Sequence, residues 1–240
     1  MAGNNLNCVF CHQAGEGNLP GTKKYVLPWT HTYASYPKFD AKSGKTLTLE
    51  ERIMGMIGKG TVPVTKDSPE VQALVAYIKW LGEKYPAVPK NLLAETPLPA
   101  RPANPRQGAN VYRARCQYCH GPQGEGKKAM DFESKGMGYI YPPVAGQDTY
   151  DDGGHMMMIP LLTRFLYATM PFGATYDHPK MSMAEAYDVA AYINVTLPRK
   201  HNGNRDHHYP DPTTRPAGAA YREWFHSDEE FLRAYLGPFR

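Results

Sequence analysis

The sequence lacks any long hydrophobic run and any strong excess of charge of one sign. No stretch approaches the roughly 18 apolar residues of a membrane-spanning helix, so we expect no membrane span. Lys and Arg number 27 and Asp and Glu 23, which gives a net charge of +4. That balance is far from the concentrated basicity of nucleic-acid-binding proteins, and we expect no nucleic-acid partner.

Cysteine is also scarce, with 4 residues in a chain of 240. All of them fall in two copies of Cys-x-x-Cys-His, at residues 8–12 and 116–120. This pattern is the attachment signature of c-type haem, in which two thiols form thioethers with the porphyrin and the adjacent imidazole binds the iron. The sequence therefore predicts two covalently bound haem c groups. The predicted attachment residues are Cys8, Cys11, Cys116 and Cys119, and the predicted proximal ligands are His12 and His120.

A lone Cys-x-x-Cys also occurs in zinc knuckles and in redox-active disulfides. A structural zinc ion takes four nitrogen or sulfur ligands, and neither copy has a second Cys/His pair at the usual spacing. A thioredoxin-like site needs a βαβ setting, which the surrounding pattern does not provide. Haem attachment is therefore favoured at both motifs.

Each motif opens a stretch that closes with a helical pattern, as in a cytochrome c domain. Pro69 stands at a helix start before an apolar stripe, and Ser182 and Glu185 have capping-box spacing. We predict a mainly α fold with two cytochrome c-like domains, a Pro-rich linker and a C-terminal wrapping tail that carries a short helix near Asp228 to Leu236. The predicted bounds are 1–85 and 107–198 for the domains, 86–106 for the linker and 199–240 for the tail.

Methionine thioethers are the expected ligands on the distal faces of the irons. Before the closing helix of the first domain only Met54 and Met56 are available, with His31 as the other candidate. In the second domain Met170 is favoured because it precedes Pro171. The alternatives there are Met130, Met137, Met156, Met157, Met158, Met181, Met183 and His155.

The chain resembles the dihaem thiosulfate dehydrogenases, which are related to the cytochrome subunits of the Sox sulfur-oxidising system. The similar segments are 48–53, 73–81, 141–146, 170–173, 185–192 and 237–239. In that family the segment matching 52–56 reads Arg-Ile-Asn-Gly-Cys, and its Cys is the distal ligand of the active-site haem. The resemblance implies that Met56 takes this position here and that Arg52, with Lys42 as a further basic candidate ahead of it, belongs to the anion site.

A thioether has no ionisable proton and cannot replace a thiolate as a nucleophile. We therefore expect a dihaem c-type cytochrome that transfers electrons to or from a redox partner protein in sulfur-compound or respiratory metabolism. The alternative is a thiosulfate dehydrogenase or tetrathionate reductase, in which Arg52 and Lys42 hold thiosulfate or another small anion.

The expected location follows from the resemblance. The first residues have no apolar stretch typical of an export signal, so we expect a form from which such a signal has been removed. Bacterial proteins that resemble this chain acquire haem c outside the cytoplasmic membrane. This implies a periplasmic location.

Overall fold

The computed structural model describes residues 6–24, 27–57, 64–85, 96–130, 138–201 and 205–239. It divides into two compact units, Met1–Leu92 with His208–Thr214, and Leu93–His207 with Arg215–Arg240. Helices dominate the described residues, which confirms the mainly α fold. None of the helices in those residues combines the length and the hydrophobicity that a membrane span requires. Residues 86–95 of the predicted linker lie outside the described residues.

The first unit is built on two helices, α1 (Leu49–Ile57) and α2 (Pro69–Lys84). A capping box starts α1, because Thr48 Oγ1 accepts from the Glu51 N–H at 3.2 Å and the Glu51 carboxylate accepts from the Thr48 N–H at 2.7 Å. Pro69 occupies the first turn of α2, as the sequence predicts. A buried cluster joins the two helices and consists of Leu49, Ile53, Val71 and Ile78.

A short hairpin precedes α1 in the first unit. Strand β1 (Lys38–Asp40) pairs antiparallel with β2 (Lys45–Leu47). The backbone N–H of Tyr209 donates to the Lys42 carbonyl at 2.9 Å, so residues 208–214 pack on this hairpin.

The second unit centres on the packing of α3 (Pro105–Arg115) against α6 (Met183–Thr196). The helices are very close at Gly108, where an added Cβ would lie 2.0 Å from the Asp188 carbonyl oxygen. The Asp188 carboxylate accepts two hydrogen bonds from Arg101 at 2.8 and 2.9 Å. The predicted capping box of Ser182 and Glu185 starts α6 and is confirmed.

The remaining elements of this unit surround that helix pair. They are α4 (Gln117–His120), β3 (Lys127–Lys128) paired with β4 (Tyr139–Tyr141), α5 (Ile159–Thr169) and α7 (Asp228–Leu236). Helix α5 packs on α6, and α7 confirms the short helix predicted near the C-terminus.

Candidate haem-binding sites

The first motif forms one tight turn. Residues Cys8–Phe10 are a 3₁₀ helix, capped by Asn7 Oδ1, which accepts from the Val9 N–H at 3.2 Å. The His12 imidazole Nδ1 lies 2.8 Å from the Leu27 carbonyl oxygen. A carbonyl can only accept, so Nδ1 carries the proton and Nε2 presents its lone pair. The turn therefore offers two thiols and one imidazole nitrogen with a fixed ring orientation.

The second motif holds its histidine in the same way, with Nδ1 on a backbone carbonyl, but its backbone is a short α-helix and not a 3₁₀ turn. It follows α3 directly, and the His120 N–H donates to the Cys116 carbonyl at 2.9 Å. Nδ1 of His120 lies 2.7 Å from the Pro142 carbonyl oxygen. Nε2 is again the nitrogen that can bind a metal.

Burial shifts the pKa of one thiol and of the histidine in each motif. It raises the pKa of the Cys11 thiol to about 11, with a smaller contribution from Cys8, and raises that of the Cys116 thiol to about 12. Burial also lowers the pKa of His12 and of His120, against the hydrogen bonds to the backbone carbonyls. At neutral pH the imidazoles are therefore in the neutral form that binds iron, and these two thiols stay protonated.

This donor set fits haem c better than the zinc or disulfide alternatives. Redox-active cysteines use thiolates of low pKa, which buried thiols form poorly. In the described part of the chain no group of three or more His, Cys, Asp or Glu residues could hold a metal ion. None of the four cysteines belongs to a disulfide, so all four sulfurs are available for thioethers.

The structure separates the two distal candidates of the first unit. Met54 packs against the buried cluster of α1 and α2, whereas the Met56 side chain is 53% exposed. The positive charge of Arg52 contributes to the low pKa of His12, after burial as the larger cause, so Arg52 lies near that imidazole. Met56 follows Arg52 by one helical turn and shares its face of α1.

Lys42 lies on a different element from Arg52, in the turn between β1 and β2. Arg52 also contributes to the pKa of Tyr36, in the direction opposite to the larger effect of burial. The structure thus brings Arg52 to His12 and Tyr36, while Lys42 belongs to the hairpin.

In the second unit Met170 ends α5, where its N–H donates to the Leu166 carbonyl at 2.8 Å. Its side chain is half-buried. Three competing methionines are packed in the interior: Met156, Met158 and Met181. Met130 is fully exposed, and Met137 lies outside the described residues.

Several residues that shape these sites carry no sequence signature. The carbonyls of Leu27 and Pro142 orient the two imidazoles, and Trp29 lies against the His12 ring. The Pro142-Pro143 pair is a signal for a rigid loop, but the sequence does not say which side chain its carbonyl meets.

Parts of this chain are similar to known proteins in sequence and in structure. A family model described as cytochrome C oxidase, cbb3-type, subunit III matches residues 103–193, a range that contains the second motif and Met170. It confirms a cytochrome c-like domain there and implies covalently bound haem c. The structure is also similar to that of the thiosulfate dehydrogenase TsdBA from Marichromatium purpuratum in its as-isolated form, with a TM-score of 0.66 and 29% identity over 80% of this chain and 41% of that one.

Two curated relatives are similar in sequence over most of this chain. The thiosulfate dehydrogenase of Allochromatium vinosum is 30% identical over 203 residues, which cover 83% of this chain and 72% of the relative. That of Psychrobacter arcticus is 31% identical over 213 residues, or 87% and 61% of the two chains. The chain therefore spans about three fifths of the longer relatives.

Proposed function

The chain belongs to the thiosulfate dehydrogenase family and contains haem c, and we propose that it is a dihaem cytochrome whose main activity is electron transfer. The observation that carries the proposal is the shared arrangement at the two motifs. In each, two cysteines outside any disulfide precede a neutral histidine whose Nδ1 is held by a backbone carbonyl. Cys8 and Cys11 would attach one haem, and Cys116 and Cys119 the other.

The role of the protein is to hold and tune the iron ligands. The Leu27 and Pro142 carbonyls fix the rings of His12 and His120, so that Nε2 of each would be available as an iron ligand. A bound haem c supplies a one-electron Fe³⁺/Fe²⁺ couple, whose potential depends on the axial ligands and their hydrogen bonds.

Met56 and Met170 are the proposed distal ligands. Two observations support Met56. It is exposed on the face of α1 that carries Arg52, and the alternative, Met54, packs against the buried cluster. Met170 is supported by its place at the end of α5 and by the burial of three competing methionines. A thioether from each of these residues would leave no coordination position open for a substrate, which favours electron transfer without bond chemistry.

The second candidate function is thiosulfate oxidation or the reverse reaction. Oxidation joins two thiosulfate ions through a new S–S bond and releases two electrons. Two observations favour this second function. The chain belongs to the thiosulfate dehydrogenase family, and the Arg52 guanidinium lies near His12, where it could hold a small dianion. Lys42 is the further basic residue proposed for the same anion.

The proposed location is the periplasm, and the proposed partner is a redox protein that exchanges single electrons. The two compact units support an assignment of one haem domain to each. The proposed bounds are 1–85 and 107–198 for the domains, 86–106 for the linker and 199–240 for the wrapping tail.

A steady-state assay separates the two functions. The protein with both haems is mixed with thiosulfate and an artificial acceptor such as ferricyanide, and acceptor reduction is followed. A carrier shows no sustained thiosulfate-dependent turnover, although its dithionite-reduced form passes electrons to ferricyanide stoichiometrically. Sustained turnover that Arg52→Gln abolishes would establish the enzyme instead.

A further inference from the structure

The loop that follows β4 holds the carbonyl that orients the second proximal histidine. Pro142 O accepts from His120 Nδ1 at 2.7 Å. The next carbonyl, Pro143 O, accepts from Thr149 Oγ1 at 3.0 Å, and Thr149 is only 1% exposed. Pro142 and Pro143 each have a fixed φ. A restraint on the peptide unit of one is therefore transmitted to that of the other.

Arg199 restrains the same loop at two points. Its Nη2 donates to the Val144 carbonyl at 2.9 Å and its Nη1 to the Tyr150 carbonyl at 3.2 Å. The guanidinium also lies 4.0 Å from the centre of the Tyr150 ring. Just before it, the Pro198 carbonyl accepts from the Gly146 N–H at 2.7 Å. The planar fork of Arg suits this double contact, which the single ammonium of Lys cannot reproduce.

The glycine-containing segment that follows the second motif packs against the other side of the loop. The Gly124 carbonyl accepts from the N–H groups of Val144 and Ala145 at 2.8 and 3.0 Å. At Gly126, where φ is +73°, an added Cβ would lie 2.6 Å from the backbone nitrogen of Pro143. Consecutive carbonyls at 142, 143 and 144 therefore accept from three different side chains while the glycine loop after His120 packs against them.

We propose that Arg199 and Thr149 are positioning residues for the second haem. They hold the Pro142 carbonyl on His120 Nδ1, and through that hydrogen bond they set the basicity of the imidazole. A stronger Nδ1–H···O bond makes the ligand a better donor, which stabilises ferric iron and lowers the reduction potential. This inference rests on the proposed ligation of iron by His120 and holds for either candidate function.

The test uses Thr149→Val and Arg199→Lys in the protein with both haems. Thr149→Val keeps the shape and the charge of the side chain but removes the hydroxyl that donates to the Pro143 carbonyl. Arg199→Lys keeps the positive charge but loses the planar guanidinium that donates to two carbonyls. In both variants the potential of the second haem should rise, measured by spectroelectrochemical titration, while that of the first haem stays unchanged as an internal reference. In ferrous protein the NMR signal of the His120 Nδ1 proton should exchange faster with solvent.

Two further variants serve as controls. Thr149→Ser keeps a hydroxyl donor and should restore the wild-type values. Thr22→Val removes a similar buried hydrogen bond in the first unit, from Thr22 Oγ1 to the Leu19 carbonyl at 2.6 Å, and should leave the second haem unchanged. Each variant is checked for folding in two ways: it should retain both haems, and its far-ultraviolet circular dichroism spectrum should match that of the wild type.

The outcomes distinguish this inference from the ligation on which it rests. If Thr149→Val and Arg199→Lys leave the potential and the proton exchange unchanged, the positioning role is wrong. A potential that falls in Arg199→Gln and is normal in Arg199→Lys would show a charge effect instead, which also overturns it. If the wild-type spectrum lacks a ring-current-shifted His120 signal, the proposed ligation itself fails.

Discussion

The indole of Trp29 lies against the imidazole of His12, with ring centroids 4.5 Å apart and the planes inclined by 30°. The same segment supplies the Leu27 carbonyl that accepts from His12 Nδ1. One short stretch of chain thus holds the imidazole at its face and at its edge. Gly21 also packs on the indole, since an added Cβ there would lie 2.5 Å from the Trp29 ring.

Replacing Trp29 with Leu should therefore destabilise the first unit. The loss of a packed aromatic ring costs about 2–4 kcal/mol, by comparison with core substitutions in general. Denaturant unfolding followed at the visible bands measures this effect. Trp80→Leu is the matched control, because Trp80 is 40% exposed and its replacement should cost about 1 kcal/mol or less. Equal losses in the two variants would contradict the role of Trp29.

The haem count tests the two motifs directly. Denatured protein should keep two covalently bound haems, since thioethers survive unfolding. Replacing Cys116 and Cys119 together with Ala should remove one haem and leave the spectrum of the other. Intact mass spectrometry measures the number bound, and a mass of apoprotein plus one haem in the wild type would contradict the prediction.

Met56→Cys should lower the potential of the first haem. An anionic thiolate stabilises ferric iron more than a neutral thioether does, and the change should also alter the visible spectrum. Redox titration measures the potential. Met54→Leu is the control, because Met54 packs against the buried cluster and a volume-conserving change there costs less than about 1.5 kcal/mol. If Met56→Cys has no spectral effect and a change at Met54 does, the two assignments must be exchanged.

The parts of the structure that the sequence predicts are those encoded locally. Pro69 and the Ser182/Glu185 box mark helix starts within a few residues, and they are found as expected. The haem motifs are likewise contiguous. The acceptors for the two histidines lie 15 and 22 residues away and act through backbone carbonyls, which any residue type can supply. Their identity depends on tertiary packing that no spacing rule reports.

The choice of distal ligand in the first unit also depends on tertiary packing, which sequence patterns do not report. Composition and spacing leave Met54 and Met56 equivalent, because they lie two positions apart in one helix, and only the family resemblance favours Met56. Burial separates them, since two positions on a helix turn the side chain to a different face. The close packing at Gly108 was not predicted either, because its partner Asp188 is far away in the sequence.

Gly108→Ala should destabilise the second unit in spite of the better helix propensity of alanine. The propensity gain is about 1 kcal/mol, whereas a methyl group 2.0 Å from the Asp188 carbonyl must push α3 and α6 apart. We expect a net loss of about 2 kcal/mol or more in thermal or denaturant unfolding. Asn110→Ala, at an exposed position of the same helix, should change the stability by about 0.5 kcal/mol or less. A gain in stability for Gly108→Ala would show that the helices are less closely packed.

Met170→Ala tests the distal ligand of the second haem. Met170 ends α5 with its side chain half-buried, whereas Met156, Met158 and Met181 are packed in the interior. Removal of the thioether should open the sixth coordination position, lower the potential of this haem and allow the ferrous form to bind carbon monoxide. Visible spectra before and after addition of carbon monoxide measure this.

The control for Met170→Ala is Met130→Ala, because Met130 is fully exposed and its loss should leave the spectrum and the potential unchanged. A Met170→Ala protein that stays low-spin and refuses carbon monoxide must have another residue on the iron. Met183 and His155 are then the next candidates, because neither is as deeply buried as Met181. Carbon monoxide binding at only one of the two haems would in turn show that the first haem keeps its own ligand, since Met170 and Met56 belong to different units.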